Sequence, residues 1–205
     1  MLVFWPKRLV YLAVPKTGSS AIESVLHPFA DIQFKSPPRL KHAKAGTMRN
    51  FRKLFSPLDP GEFEQVAVMR DPLEWLGSWY RYRARKELDG NQNSTANISF
   101  EEFIDAVISK NPPPFAHVGS QFRFLCAEGE TPVADRIYPY TRINDLFTYL
   151  EKRLEISFEI PDANMSEIAP LSLSDACLAR LMDARSAEFA LYEQVEAGVY
   201  CQDIK

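Results

Sequence analysis

The sequence predicts an α/β fold in which a parallel β-sheet is covered by helices, and two observations support this prediction. Three short apolar segments of strand length occur at residues 9–14, 65–69 and 136–138. Each is followed by a segment whose apolar residues recur at helical spacing. Strands that alternate with helices favour a parallel sheet, and ligands bind such sheets at the carboxyl ends of the strands.

The first of these strands leads into a turn that has the features of an anion site. The turn, Pro-Lys-Thr-Gly-Ser-Ser at residues 15–20, lies between the strand and a predicted helix. Backbone N–H groups at a helix N-terminus attract phosphate or sulfate, and Lys16 adds a full positive charge. The apolar positions that predict the helix are Ile22, Val25, Leu26 and Phe29.

The order of residues in this turn differs from that of a standard nucleotide-binding loop. That loop has two glycines ahead of its lysine, whereas Lys16 precedes Gly18, so a standard ATP or GTP loop is disfavoured. The alternative interpretation is an ordinary strand-to-helix corner in which Thr17 or Ser19 is the N-cap.

The second strand ends in a residue that favours a second anion site. Residues 65–69 are followed by Arg70, and Pro72 is predicted to be the first residue of a helix that contains Ser78. With Ser78 about two turns into that helix, the two side chains can converge on an anion. The alternative is that Arg70 pairs only with Asp71 or Glu74.

These two motifs, in this order, resemble those of the sulfotransferases that use 3′-phosphoadenosine 5′-phosphosulfate, particularly the carbohydrate type. In that family the lysine-containing loop binds the 5′-phosphosulfate, and an Arg-Asp-Pro turn with a serine eight positions later holds the 3′-phosphate. The resemblance implies a three-layer, P-loop NTPase-like sulfotransferase architecture. It assigns donor binding to Lys16, Thr17, Gly18, Ser19, Ser20, Arg70 and Ser78.

Weaker similarity to the same family extends over most of the chain, with two departures. Trp75 stands where the family often has an arginine, and Asn144 stands where it has an acidic residue. Both departures leave the details of the acceptor site open. The other matching segments are residues 41–49, 121–125, 140–146, 164–166 and 187–192.

The resemblance also implies a reaction, in which an acceptor oxygen attacks sulfur in line as the phosphate leaves. Lys16 would neutralise the charge on the departing phosphate, and the arrangement requires no metal. A hydroxyl acceptor needs a proton acceptor near neutral pH, for which His42 is favoured. His117 is the second candidate and Glu23 a more remote one.

Further elements follow from local signals. Ser99 and Glu102 form a capping-box pattern that predicts a helix ending before the prolines at 112–114. The polar residues 89–97 predict a mobile loop near the acceptor entrance. Residues 172–175 predict the start of a last long helix.

Composition and charge limit the class of protein. The 205 residues are 46% hydrophobic, which suits one domain over 1–205. Between Asp31 and Asp59 every charged residue is basic, so this segment can attract an anionic donor or acceptor. The pI of 5.7 and the lack of a recognisable motif argue against nucleic acid as a partner.

The cysteines and the hydropathy pattern bear on the cellular location of the protein. Cys126, Cys177 and Cys201 are odd in number and far apart, which predicts reduced thiols rather than a disulfide framework or a metal site. Lysine and arginine interrupt the apolar N-terminal segment before it reaches the length of a membrane span. We therefore expect a cytoplasmic protein.

The sequence thus predicts a sulfotransferase that moves a sulfuryl group from 3′-phosphoadenosine 5′-phosphosulfate to a hydroxyl of a carbohydrate, lipid or small molecule. A kinase with the same architecture, binding ATP with magnesium, is one alternative. A nucleotide-binding module without turnover is the other, suggested by the departures at Trp75 and Asn144.

Overall fold

The computed structural model describes residues 1–126, 129, 131–159 and 171–201, so the matching segment 164–166 lies outside the described residues. Five strands form one sheet in the order β3-β1-β2-β4-β5. The strands are β1 (Leu2–Phe4), β2 (Leu9–Leu12), β3 (Ile32–Gln33), β4 (Glu64–Met69) and β5 (Arg136–Pro139).

The three strands predicted from the sequence are the parallel part of this sheet. Strands β2 and β4 pair in parallel with Leu12 opposite Ala67, and β4 and β5 pair in parallel with Ala67 opposite Ile137. Their carboxyl ends therefore lie side by side. This part of the fold prediction is confirmed.

The prediction of a wholly parallel sheet is wrong for the two remaining strands. Strand β1 is antiparallel to both β2 and β3. Residues 5–8 connect β1 to β2 through a tight turn, in which the Arg8 N–H donates to the Trp5 carbonyl at 3.1 Å. So short a connection permits only antiparallel pairing, because a parallel pair needs a crossover of a dozen residues or more.

Helices flank the sheet. The longer ones are α1 (Ser19–Leu26), α4 (Pro72–Arg83), α5 (Phe100–Ile108), α7 (Ile143–Leu154), α8 (Asp175–Ala184) and α9 (Ser186–Glu196). Shorter ones are α2 (Pro38–Lys41), α3 (Arg52–Phe55) and α6 (Gln121–Leu125). None of the helices in the described parts of the chain combines the length and the apolar character that crossing a membrane requires.

Alternate residues of the strands enter two apolar clusters. Val10 and Leu12 of β2 pack in one cluster with residues of α6 and α9. Leu9 and Tyr11 of the same strand pack in the other with residues of α1 and α7. This alternation is what a sheet buried on both faces requires, since successive side chains point to opposite faces.

The capping-box prediction for the helix after residue 99 is confirmed. The Ser99 hydroxyl accepts from the Glu102 N–H, and the Glu102 carboxylate accepts from the Ser99 N–H. The segment 89–97 is tied to the end of α4, because the buried Thr95 donates its hydroxyl to the Tyr80 carbonyl.

The predicted last long helix is two helices. Helix α8 begins within the predicted segment 172–175, with Ser174 as its N-cap, but it ends at Ala184 and α9 begins at Ser186. Arg185 adopts a non-helical conformation, and its guanidinium donates to Glu188 and to the Gly119 carbonyl. The Gly119 contact joins Arg185 to a distant part of the chain and accounts for the break, and spacing within the segment does not reveal it.

Candidate anion-binding site at the carboxyl ends of β2, β4 and β5

The turn after β2 leaves the first N–H groups of α1 without side-chain caps. Gly18 is the N-cap residue, with φ of 71°, and no side chain caps the helix. The buried Thr17 hydroxyl donates to the Val14 carbonyl at 2.9 Å, so the alternative in which Thr17 or Ser19 is the N-cap is not observed. Uncapped N–H groups at a helix start are available to an anion.

Two residues of this turn have the left-handed backbone conformation. Lys16 has φ of 65° and Gly18 has φ of 71°. A side chain at position 18 would also meet Tyr140, whose Cε2 lies 3.1 Å from the site of an added Cβ. Glycine is therefore required there for both conformation and space.

The ammonium of Lys16 packs against aromatic rings. Its Nζ lies 4.2 Å from the ring centroid of Tyr82 and 5.8 Å from that of Trp79. No ion pair joins it to a carboxylate of residues 1–126, 129, 131–159 or 171–201. Burial, followed by the positive charges of Arg85 and Arg70, lowers the pKa of Lys16 to about 8. Its charge is therefore incompletely compensated, which favours binding of an anion.

The turn after β4 is held from a distant part of the chain. The Arg70 N–H donates to Oε1 of Gln121 at 2.9 Å, and Nε2 of Gln121 donates to the Arg70 carbonyl at 2.8 Å. The Gln121 N–H donates to the buried Glu188 carboxylate at 2.7 Å, and Arg185 pairs with Glu188 at 2.9 Å. This network fixes the Arg70 backbone at the end of β4.

The Arg70 guanidinium is mostly buried and only partly satisfied. Its Nη2 donates to the Glu74 carboxylate at 2.8 Å, whereas its buried Nε has no hydrogen-bond partner among the described residues. The alternative pairing with Glu74 is thus what the free protein shows, while Asp71 instead accepts from the Glu74 N–H and caps α4. The Glu74 side chain is 63% exposed, so a stronger anion can replace it.

Two contacts bring the turns together. Nε1 of Trp75 donates to the Pro15 carbonyl at 2.7 Å, which joins α4 to the turn after β2. Tyr140, which follows β5, lies against Gly18. The Arg70 guanidinium lies over the Tyr140 ring, with its Cζ 4.9 Å from the ring centroid. The three strand ends therefore converge at one edge of the sheet.

The remaining donor-site residues predicted from the sequence lie around this edge. Ser19 is buried in the first turn of α1, and the exposed Ser20 accepts from Nζ of Lys41 at 3.2 Å. Ser78 lies two turns into α4, as predicted, and its hydroxyl has no hydrogen bond to the described parts of the protein.

His42 contacts the same region through its ring. Its Nδ1 lies 2.7 Å from the Ala13 carbonyl, one residue past β2. Because a carbonyl only accepts, Nδ1 carries the hydrogen and Nε2 is left as a proton acceptor. Burial is the largest influence on the pKa of His42 and lowers it, so the ring is neutral at pH 7.

The two other candidates for the general base, Glu23 and His117, have contacts unlike those of His42. Glu23 pairs with Nζ of Lys41 at 3.0 Å, which makes it part of an ion pair. His117 has an exposed side chain, and its backbone carbonyl accepts from Nη2 of Arg83 at 3.0 Å.

Sequence reasoning missed the roles of several contacts in this site. Gln121 and Tyr140 belong to segments that match the family, yet nothing in their spacing shows that both contact Arg70. Trp75, noted only as a departure, joins the two turns. All three contacts span large sequence separations, so local patterns carry no signal for them.

This geometry agrees with the comparison against family models, in which the model of the sulfotransferase family matches residues 1–173. The chain belongs to the sulfotransferase family. It is accordingly an enzyme that transfers sulfate to an acceptor. Comparisons with curated proteins and with solved structures found no match.

Proposed function

We propose that this protein transfers a sulfuryl group from 3′-phosphoadenosine 5′-phosphosulfate to a hydroxyl of a carbohydrate, lipid or small molecule. The observation that carries the proposal is the position of two cationic turns at adjacent strand ends. Lys16 follows β2 and Arg70 follows β4, and the Trp75 to Pro15 hydrogen bond joins the two turns.

The chemistry of the two turns suits a nucleotide with an anionic group at each end. The uncapped start of α1 suits the 5′-phosphosulfate, with Thr17, Gly18, Ser19 and Ser20 around it. Lys16 suits the same group because it pairs with no carboxylate of the described residues. The buried Nε of Arg70 finds no partner in the part of the chain that the structure describes, and Arg70 with Ser78 suits the 3′-phosphate. Buried donors without acceptors are costly unless a ligand supplies the acceptors.

In this proposal Lys16 and His42 are the catalytic residues. The bound donor supplies the sulfuryl group and a phosphate leaving group. Lys16 stabilises the negative charge that develops on the phosphate oxygen. His42 accepts the proton of the acceptor hydroxyl at Nε2, because its Nδ1 hydrogen already bonds the Ala13 carbonyl. Fixed cations stabilise the charge, so the proposal needs no metal.

The finer features of fold and setting are proposed on the same basis. Two apolar clusters, built from alternate strand residues, support a three-layer, P-loop NTPase-like architecture. The segment 89–97 is attached to the end of α4 that carries Tyr82, which supports its place near the acceptor. The single domain and the cytoplasmic location stay predictions.

Calorimetry with adenosine 3′,5′-bisphosphate tests the donor site. We expect the wild-type protein to bind it and Arg70→Ala to weaken binding about ten- to a hundredfold, because a charge-assisted contact is lost. Arg8→Ala is the matched control, since Arg8 lies immediately before β2 and pairs with the exposed Glu62. It should bind like the wild type.

Transfer assays on a broad acceptor panel then separate the three functions. Sulfate transfer from 3′-phosphoadenosine 5′-phosphosulfate supports the proposal. Binding of ATP with magnesium but not of the bisphosphate would favour the kinase. Tight bisphosphate binding without transfer to any acceptor would favour a binding module without turnover.

A further inference from the structure

Arg81 carries a buried donor without a partner close to the proposed 3′-phosphate site. It lies on α4, three residues after Ser78. Its Nε is buried and makes no hydrogen bond, and no ion pair joins its guanidinium to the described residues. Because a buried donor without an acceptor costs free energy, a ligand that supplies an acceptor at this position would gain affinity.

The side chain of Arg81 folds back toward the start of α4. A Cβ added at Gly77 would lie only 2.9 Å from Nη1 of Arg81, so the guanidinium sits over the backbone one turn before its own residue. This is the direction in which helical side chains point. Leu171 lies 3.0 Å from the same added Cβ, so the space is closed on that side. Only glycine at position 77 leaves room for this arrangement.

The charges around this space are mostly positive. Arg70 precedes α4, and Glu74, Ser78 and Arg81 follow it within the helix at spacings of four, four and three, which places the three helical residues on one face. Burial and then the positive charge of Arg70 lower the pKa of Arg81, whereas Glu74 opposes that shift. The exposed Glu74 carboxylate, which pairs with Arg70, therefore offsets only part of the charge of the two guanidinium groups.

We propose that Arg81 binds the second anionic group of the nucleotide together with Arg70 and Ser78, and that the Glu74 carboxylate occupies its place in the free protein. This inference rests on the proposed function, in which that group is the 3′-phosphate. A phosphate has three acceptor oxygens, so it can accept hydrogen bonds from all three side chains at once. The exposed Glu74 carboxylate has two oxygens and pairs only with Arg70 among these side chains. Gly77 is a positioning residue in this proposal.

Two ligands that differ only in the 3′-phosphate test the inference. Calorimetry is done with adenosine 3′,5′-bisphosphate and with adenosine 5′-monophosphate. Arg81→Ala should weaken bisphosphate binding about ten- to a hundredfold and leave monophosphate binding within about twofold. Arg8→Ala removes the same charge at the opposite edge of the sheet and should change neither affinity.

Two further variants keep the test decisive if Arg81→Ala folds poorly. Gly77→Ala leaves the guanidinium in the protein but displaces it, so the same selective loss of bisphosphate affinity is expected. Glu74→Gln removes the competing charge, so bisphosphate binding should tighten a few-fold while monophosphate binding stays unchanged.

The outcomes separate this inference from the proposed function. If the wild type prefers the bisphosphate and Arg81→Ala and Gly77→Ala keep that preference, the role of Arg81 is overturned while the donor site stands. Equal loss of both ligands would also overturn it, because Arg81 would then support the fold. If the wild type binds neither ligand, the proposed function and the inference both fall.

Discussion

The turn after β2 and the turn after β4 present their cations by different structural means. The first is local: Lys16 and Gly18 have left-handed backbone conformations, and the Thr17 hydroxyl bonds Val14 three residues earlier. The second depends on distant elements, because Gln121 of α6 holds the Arg70 backbone and Glu188 of α9 holds Gln121.

This difference shows how stability and function are divided between the two turns. Lys16 has a lowered pKa and no ion pair to a described carboxylate, so its charge opposes folding until an anion binds. The Arg70 backbone, by contrast, is part of a buried network that contributes to folding whether or not a ligand is present.

Lys16→Met gives the largest expected effect. We expect kcat for sulfate transfer to fall about a hundred- to a thousandfold, because charge on the leaving phosphate is no longer stabilised. The free energy of unfolding should rise by about 1 kcal/mol at pH 7, less than the full pKa shift implies, because solvent screens this half-buried group. Transfer kinetics and thermal melts measure the two effects.

The stability gain of Lys16→Met has a definite pH window. The folded pKa of about 8 lies below the ordinary value of 10.5, so between these values the unfolded wild-type chain holds more protons and wild-type stability rises with pH. The advantage of the variant is full below pH 8 and disappears toward pH 10.5. Lys53→Met, at an exposed position of α3, is the control and should change neither quantity. A less stable Lys16→Met protein would contradict this account of the first turn.

His42→Ala should lower kcat about a hundredfold while bisphosphate affinity stays unchanged, because the general base is lost and the donor contacts remain. His117→Ala is the matched control and should keep turnover. Retained turnover in His42→Ala together with loss in His117→Ala would move the role of base to His117.

The pH dependence of kcat/KM for the donor should report the charge of Lys16 in the free enzyme. Lys16 is protonated below its pKa of about 8 and neutral above it, so kcat/KM should fall about tenfold per pH unit above pH 8. Lys16→Arg keeps the charge at high pH and should abolish this decline. A decline that persists in Lys16→Arg would have to arise from another group.

Gln121→Ala should weaken bisphosphate binding about tenfold, the smallest functional effect, because the Arg70 backbone loses two hydrogen bonds. It should also lower the free energy of unfolding by about 2–4 kcal/mol, since buried groups lose their partners. Arg123→Ala, exposed on the same helix, should change neither. If Gln121→Ala melts like the wild type, the second turn does not depend on the distant network.

Much of the fold was predictable because its signals are local. The apolar runs of β2, β4 and β5 and the capping box of α5 depend on residues close together in sequence, and the structure confirms them. Strand β3 has only two residues and β1 three, so neither has a readable period. The break between α8 and α9 at Arg185 depends on a contact with Gly119, 66 positions away, and was equally unpredictable from the sequence.

The amino-acid sequence by itself determined the family, the two cationic turns and the candidates for the base, because each depends on residue types in a fixed local order. Only the tertiary structure decided that Tyr140 and Trp75 join the turns, that Gln121 holds Arg70 and that His42 bonds Ala13. Those contacts join residues 29 to 122 positions apart, where the packing of the sheet and its helices, and not the spacing of residues, decides which side chains meet.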